Sequence, residues 1–505
     1  MKPVPDSLRG VTEMSESEQV ATTPQEPSAS PKEAKSRIQS VDILRGLAIL
    51  GMALSGMLPW GTLPAWMYHA QVPPPEMKFN PDIPGITWVD LVFPFFLFAL
   101  GAAIPLSFGR KVEQLPPLSE NGWIERLKLI GGLLWRGALL LLFAYISQHF
   151  RPFSLNGSPT DTTWWLSLLF FGATILVWGR FPSSWPAALR YALPLAGLIA
   201  FATAPSSLPP AGDKPFAFDP GRVDIILFVL ANVAVSGSLL WWATKERPYA
   251  RLAIIGVVTA IFLTNTVDGP GKMIWDWTPL KEVYQFGFHK YLLIVLPGTF
   301  CGELVRLHAK HREPDGHTPA AGWFVALVGL SASVIACIGL LSRDVTLTLV
   351  ALMVLCGGAY AVISRACHMS DAMRQMAAWG TVLILIGILL DPQAGGIKKD
   401  SANLSYFFTT SGLAFWMVIA WSEITKNALG TRIWQPLAQV GENPILGYVA
   451  ITNFVPAFIR LTGIHPWVGG QGWDPWMLAG YGLFQTLLVA IICAIAARFK
   501  FYLRA

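Results

Sequence analysis

Apolar residues in this chain gather in runs of about 20, the length that crosses a hydrocarbon core roughly 30 Å thick. Short stretches of Pro, Gly and charge separate the runs. Between these breakers the pattern predicts fourteen helices, near 41–59, 87–108, 130–147, 163–179, 189–204, 223–243, 252–264, 289–305, 322–341, 345–363, 376–390, 404–423, 444–462 and 476–497. Several are short, so the expected fold is an all-α polytopic transmembrane helix bundle of about 11 to 14 spans. The start of the chain breaks the pattern: "MSESEQVATTPQEPSASPKEAK" is polar and has no periodic apolar positions. It predicts a disordered cytoplasmic tail over 1–37, ahead of one membrane domain over 38–505. The tail carries no apolar core of a cleavable signal peptide, so the first run is expected to act as an uncleaved anchor.

Composition agrees with this reading. Of 505 residues, 53% are hydrophobic and 13% charged, and the mean hydropathy of +0.48 lies outside the soluble range. No hydrophilic stretch is long enough for a separate soluble domain. With the N-terminus inside, nineteen Lys and Arg fall in inside connections and at the C-terminal end, against nine in outside loops. That asymmetry predicts cytoplasmic N- and C-termini and an even number of spans. The net charge of +6 is then a topology signal, and no nucleic-acid partner is expected. Cys301, Cys337, Cys356, Cys367 and Cys493 are scattered without a CxxC pair and read as packing residues.

Ionisable groups at the ends of spans are the candidates for chemistry. Asp42 and Arg45 in "SVDILRGLAILGM" share a helical face and can pair, as an interface anchor or as part of a site. Asp90 opens the second span, where an acidic residue can cap the helix. Arg136 in "LLWRGALLLLF" lies one turn into the third span, able to snorkel to the lipid surface or to face a phosphate. His308, His311 and His317 sit in a basic loop without a carboxylate cluster, so no metal site is expected there. His149, His368 and His465 lie at span ends, and His289 heads the eighth span.

His69 differs in context. It lies in "LPAWMYHAQVPPPE", in an outside loop, flanked by Trp66 and Tyr68, on the segment leading to Asp90. An imidazole with one nitrogen held by a carboxylate is suited to take a proton from an attacking amine or hydroxyl. The prolines that follow are expected to be stiff and extended, bracing the loop.

The run "SVDILRGLAILGM", a histidine in an aromatic loop and then "TWVDLVFPFFLFALGAAIPLSF" resembles the heparan-α-glucosaminide N-acetyltransferase family and its bacterial relatives. The resemblance is specific over 40–108 and weaker afterwards, through "LLWRGALLLLF", "KKDSANLSYFFTTSGLAF" and "VGENPILGYV". The opening is also similar to the wider membrane acyltransferase superfamily. The resemblance implies transfer of an acetyl group from cytoplasmic acetyl-CoA to a sugar amine or hydroxyl of an extracytoplasmic glycan, in a bacterial inner membrane. It implies His69 as the catalytic residue with Asp90 beside it, and Asp42, Arg45, Arg136, Lys399 and Asn443 on the donor side. The chain departs from the family at Ser55 and Gly56, where active members carry an asparagine, and in the inserted run "VPPPEMKFNPD", so the acceptor pocket is expected to differ.

In the mechanism this implies, the phosphates of CoA lie near Arg136, Arg110 or Lys111 and the pantetheine arm threads towards the outer face. His69 acts as general base or carries the acetyl group, while Lys399 and Asn443 are donors to the thioester oxygen. The expected partners are acetyl-CoA, a carbohydrate acceptor and the bilayer, with a homodimer as an allowed state. The competing readings are a transporter and a non-catalytic membrane component of glycan export.

Overall fold

The computed structural model describes residues 31–117, 122–204, 217–311, 317–365, 369–464 and 472–504. The first 30 residues of the expected tail, Cys367, His368 and His465 lie outside them, and helical backbone begins at Pro31. The described residues contain no strand, only two isolated bridges. The chain is an all-α, multi-pass membrane bundle; among the described residues twelve helices are long and apolar enough to cross a bilayer and two shorter ones are apolar.

In chain order the helices are α1 (Pro31–Met57), α2 (Trp88–Glu113), α3 (Gly122–His149), α4 (Asp161–Trp178), α5 (Ala187–Thr203), α6 (Ile225–Thr244) and α7 (Pro248–Thr264). Next come α8 (Phe286–His308), α9 (Pro319–Leu341), α10 (Val345–Arg365), α11 (Asp371–Leu389) and α12 (Leu404–Ile424). The last are α13 (Ala428–Glu442), α14 (Pro444–Leu461) and α15 (Pro475–Arg498). All fourteen runs predicted from the sequence are helical, the two short ones being α5 and α7. Helix α13 falls in a connection between two predicted runs; it is amphipathic, and it packs against α1.

Two packed cores meet along α1. One joins α2, α8, α9, α11 and α12; the other joins α3, α4, α6, α14 and α15. Helix α12 is buried on every side, Phe408 alone of its residues being half-buried, which places it at the centre of the bundle together with its Ser, Thr and Glu423 side chains. Leu487, Ile491 and Ile495 on α15 form an exposed stripe at four-residue spacing, the face such a helix turns to lipid.

Lipid gives helices no hydrophobic reason to associate, so close backbone approach at small residues does much of the holding. At the crossing of α1 and α13 a Cβ on Gly441 would lie 1.8 Å from the Asp42 carbonyl oxygen, and one on Gly46 would lie 1.9 Å from that of Leu437. Arg45 fastens the same crossing, donating to Gly441 O (3.0 Å) and Ala99 O (3.4 Å), with Asp42 3.3 Å away. The Asp42–Arg45 pair thus anchors α1 to its neighbours. Asn443, at the turn from α13 into α14, donates to Phe501 O (3.1 Å) and accepts from Leu503 N (2.9 Å), holding the C-terminal segment against the bundle.

At one end of the bundle two loops meet: Gly85 of the segment after α1 donates its N–H to Ile397 O (2.7 Å), in the segment after α11. These are the loops that carry His69 and Lys399.

Candidate active site

The loop 58–87 is folded around its own polar groups. Tyr68 Oη accepts from the N–H of Thr62 and Leu63 and donates to Pro59 O (2.5 Å), so the aromatic ring sits under the turn that follows α1. Gln71 is fully buried and donates to the carbonyls of Ile83 and Gly85. The proline run differs from its expected extended form: it folds into a turn closed by Met77 N on Pro73 O (3.0 Å). Gly61 permits this, because Pro75 O would stand 2.7 Å from any Cβ there.

The start of α2 places the carboxylate. Thr87 is the N-cap and Asp90 the third helical residue, and in a capping box the side chain of each accepts from the backbone N–H of the other. Asp90 Oδ2 accepts from Thr87 N (2.9 Å), Thr87 Oγ1 (3.3 Å) and Ala70 N (3.1 Å). That leaves Oδ1, which lies 2.6 Å from His69 Nδ1. An ionised carboxylate only accepts, so Nδ1 carries the hydrogen, and in the neutral ring the lone pair then lies on Nε2. Asp90 therefore caps the helix and orients the imidazole together: it is fully buried, while the His69 side chain keeps 36% exposure.

Lys399 completes the cluster. Its Nζ is 3.2 Å from Nδ1 and 3.3 Å from Nε2 of His69. An ammonium in the ring plane at equal distance from both nitrogens would collide with Cε1 between them, so Nζ stands over the ring face. Nζ therefore does not lie along the in-plane lone-pair direction of Nε2.

His69 and Lys399 line a cavity of about 120 Å³ that reaches into the bundle between the two cores. The rest of its wall is mainly apolar and includes Met52, Phe93, Phe143, Ile226 and Ile445. Ala48, Ile49, Met52 and Ser55 present one face of α1 to it, and Arg45 lies one turn before them. From Arg45 to Ser55 a helix rises roughly 15 Å. A second cavity, of about 710 Å³, shares Met52, Ser55, Ile226 and Tyr448 with the first, and Arg151, Asp224 and Trp164 also line it. There Arg151 donates to Asp224 (2.6 Å) and to Tyr448 Oη (2.6 Å), and Tyr448 also bonds Asp224. Nothing in the sequence pattern linked these three residues.

The other expected residues lie apart from His69. Asn443 precedes the cavity-lining Pro444 but turns its amide to the C-terminal segment. Arg136 is exposed on α3, in the electrostatic field of Lys111 and Arg180. Arg180 is desolvated and faces the positive charges of Arg504 and Arg136, which together hold its proton affinity below the usual guanidinium range. Lys111, Arg136, Arg180 and Arg504 thus lie within electrostatic reach of one another as a basic cluster, with Asp42 within reach of Arg504.

His149 and His317 are engaged elsewhere. His149 bonds Tyr145 O and Asp219 N and stacks on Phe218, and His317 pairs with buried Glu423 beside Lys426. Among the described residues no three of His, Cys, Asp and Glu come together as a metal site.

Fold and site define a multi-pass integral membrane protein with an Asp-oriented histidine and an overlying lysine at the end of an apolar cavity. Over residues 37–305, more than half its length, the chain matches the family described as domain of unknown function (DUF5009), and it belongs to that family. It is also related to heparan-alpha-glucosaminide N-acetyltransferase of Mus musculus, 30% identical over 115 residues. That match covers 23% of this chain and 14% of the relative, so most of the relative lies outside it.

Proposed function

We propose that the protein is a membrane-bound acetyltransferase that moves the acetyl group of cytoplasmic acetyl-CoA to a sugar amine or hydroxyl of an extracytoplasmic glycan. The observation that carries this reading is the His69–Asp90 pair, 2.6 Å apart, with Nε2 open at the mouth of an apolar cavity. The relationship to an N-acetyltransferase supports the class of reaction. On this reading both termini face the cytoplasm of a bacterial inner membrane, and the loop with His69 faces away from it.

The basic cluster of Lys111, Arg136, Arg180 and Arg504 takes the phosphates of CoA, and Arg45 marks the entrance to the path along α1. The pantetheine arm suits the distance from there to Ser55. As the acceptor nitrogen or oxygen attacks the thioester carbonyl carbon, Nε2 takes its proton and Asp90 steadies the imidazolium. The tetrahedral oxyanion forms beside the Lys399 ammonium. It collapses by breaking the carbon–sulfur bond, and the leaving CoA thiolate regains a proton from His69. In the two-step variant Nε2 attacks the thioester and expels the CoA thiolate; the acceptor then takes the acetyl group from Nε2, and the proton it loses ends on the thiolate.

The test is acetyl transfer by purified protein from radiolabelled acetyl-CoA to a panel of amino sugars and glycans, comparing wild type with His69→Ala. Transfer should vanish in the variant. Transfer undiminished in His69→Ala removes the catalytic assignment, and a wild type that binds no CoA favours transport or export.

A further inference from the structure

Lys399 belongs to a loop without regular structure, yet its ammonium stands within 3.3 Å of both His69 nitrogens. A flexible four-carbon stem holds such a position only from an anchored backbone. The anchor is Asp391, fully buried beyond the end of α11. Arg343 grips it with a two-pronged fork, Nη1 to Oδ2 at 3.0 Å and Nη2 to Oδ1 at 2.6 Å. Oδ2 also accepts the N–H of Ile397 (2.6 Å), and the Asp391 carbonyl accepts the N–H of Gly396 (2.8 Å).

From there the loop is joined to the other half of the site. The Ile397 carbonyl accepts from Gly85 N (2.7 Å), two residues before the Thr87 cap that orders Asp90. Gly396, at φ +87°, packs so closely that a Cβ would lie 2.3 Å from Pro84. Arg343 itself sits at φ +67°, a left-handed conformation that a residue with a side chain keeps only when its surroundings hold it. The fork to Asp391 is that hold.

We propose that the Arg343–Asp391 ion pair is a positioning clamp for the reaction: it fixes loop 390–403 against segment 84–90 and so registers Lys399 over the His69 ring. Neither residue lines the His69 cavity, so the clamp acts through Lys399. Its kinetic consequence rests on the transferase reading; its geometry does not.

The test uses the full chain carrying Asp391→Asn or Arg343→Lys, each alone and combined with Lys399→Ala. Arg343→Lys keeps the charge but loses the fork, and it serves where loss of the buried carboxylate impairs folding. Two readouts are taken: acetyl-transfer kinetics, and the rate at which an amine-reactive ester labels Lys399, followed by peptide mass spectrometry. The clamp predicts a fall in kcat of about a hundredfold with the acetyl-CoA KM unchanged. It also predicts double variants no slower than Lys399→Ala alone, and Lys399 labelled several-fold faster in each single variant. Losses that multiply in the double variants, or labelling that stays at the wild-type rate, overturn it. A wild type that transfers no acetyl group removes the transferase reading instead, and the labelling rate then decides the clamp by itself.

Discussion

Lys399 Nζ stands 3.2 and 3.3 Å from the two ring nitrogens of His69, although the residues are 330 positions apart in the chain. The placement sets a fixed positive charge beside the atom expected to react and leaves the Nε2 lone pair clear. Replacing Lys399 by Met keeps the bulk and removes the charge. Loss of one donor to a developing oxyanion costs about two to three orders of magnitude in kcat. Steady-state acetyl-transfer kinetics should show that loss with little change in the acetyl-CoA KM.

Asp90→Asn should be more damaging than its small change in shape implies. The amide can still bond the ring, but it presents N–H groups as well as a carbonyl, so the tautomer with Nε2 free is no longer enforced. Transfer should fall by about two to four orders of magnitude. The same change removes the charged acceptor for Thr87 N and Ala70 N, a loss of about 1–3 kcal/mol. A lowered melting temperature in detergent checks the second effect separately from the first.

Much of this site was legible in the sequence, and the limits have physical causes. Thr87-x-x-Asp90 before an apolar run is a helix-start pattern, and His69 lies near enough in sequence for the pairing to be expected. Asp90 as a helix cap and Asp90 as a partner of the imidazole are separate readings of the sequence; the structure gives one oxygen to each contact. Lys399 carried no local signal and entered only through resemblance. Arg343 and Asp391 are 48 residues apart in loops, where no periodicity relates two positions, and Arg343 had counted only as an outside charge. Asn443 sits at a recognisable turn, but its partners lie in a C-terminal segment with no regular pattern to reveal the contact. Helix α13 has no continuous apolar run, because polar residues and Pro436 fall between its apolar ones along the chain.

The α1–α13 crossing should tolerate no side chain. Gly441→Ala puts a methyl group 1.8 Å from the Asp42 carbonyl oxygen, and neither backbone can yield without breaking the Arg45 bond to Gly441 O. Overpacking of this kind costs about 1–3 kcal/mol. Gly131→Ala is the control, since nothing lies within 4 Å of a Cβ there. Thermal unfolding in detergent should separate the two variants clearly.

Arg180→Ala and Arg136→Ala should weaken CoA binding by about tenfold or more, the worth of a charge-assisted bond to phosphate. The losses should shrink as salt rises. Isothermal titration with CoA at two ionic strengths measures this, and kcat at saturating acetyl-CoA should stay near the wild-type value.

The central claim is that the cavity ending at His69 receives an acyl donor. A cryo-electron microscopy map of the protein with a non-hydrolysable acetyl-CoA analogue tests it most directly. The pantetheine arm should lie along Ala48, Met52 and Ser55, with the carbonyl carbon close to Nε2 of His69 and its oxygen towards Lys399. Analogue density elsewhere on the protein, with this cavity empty, contradicts it.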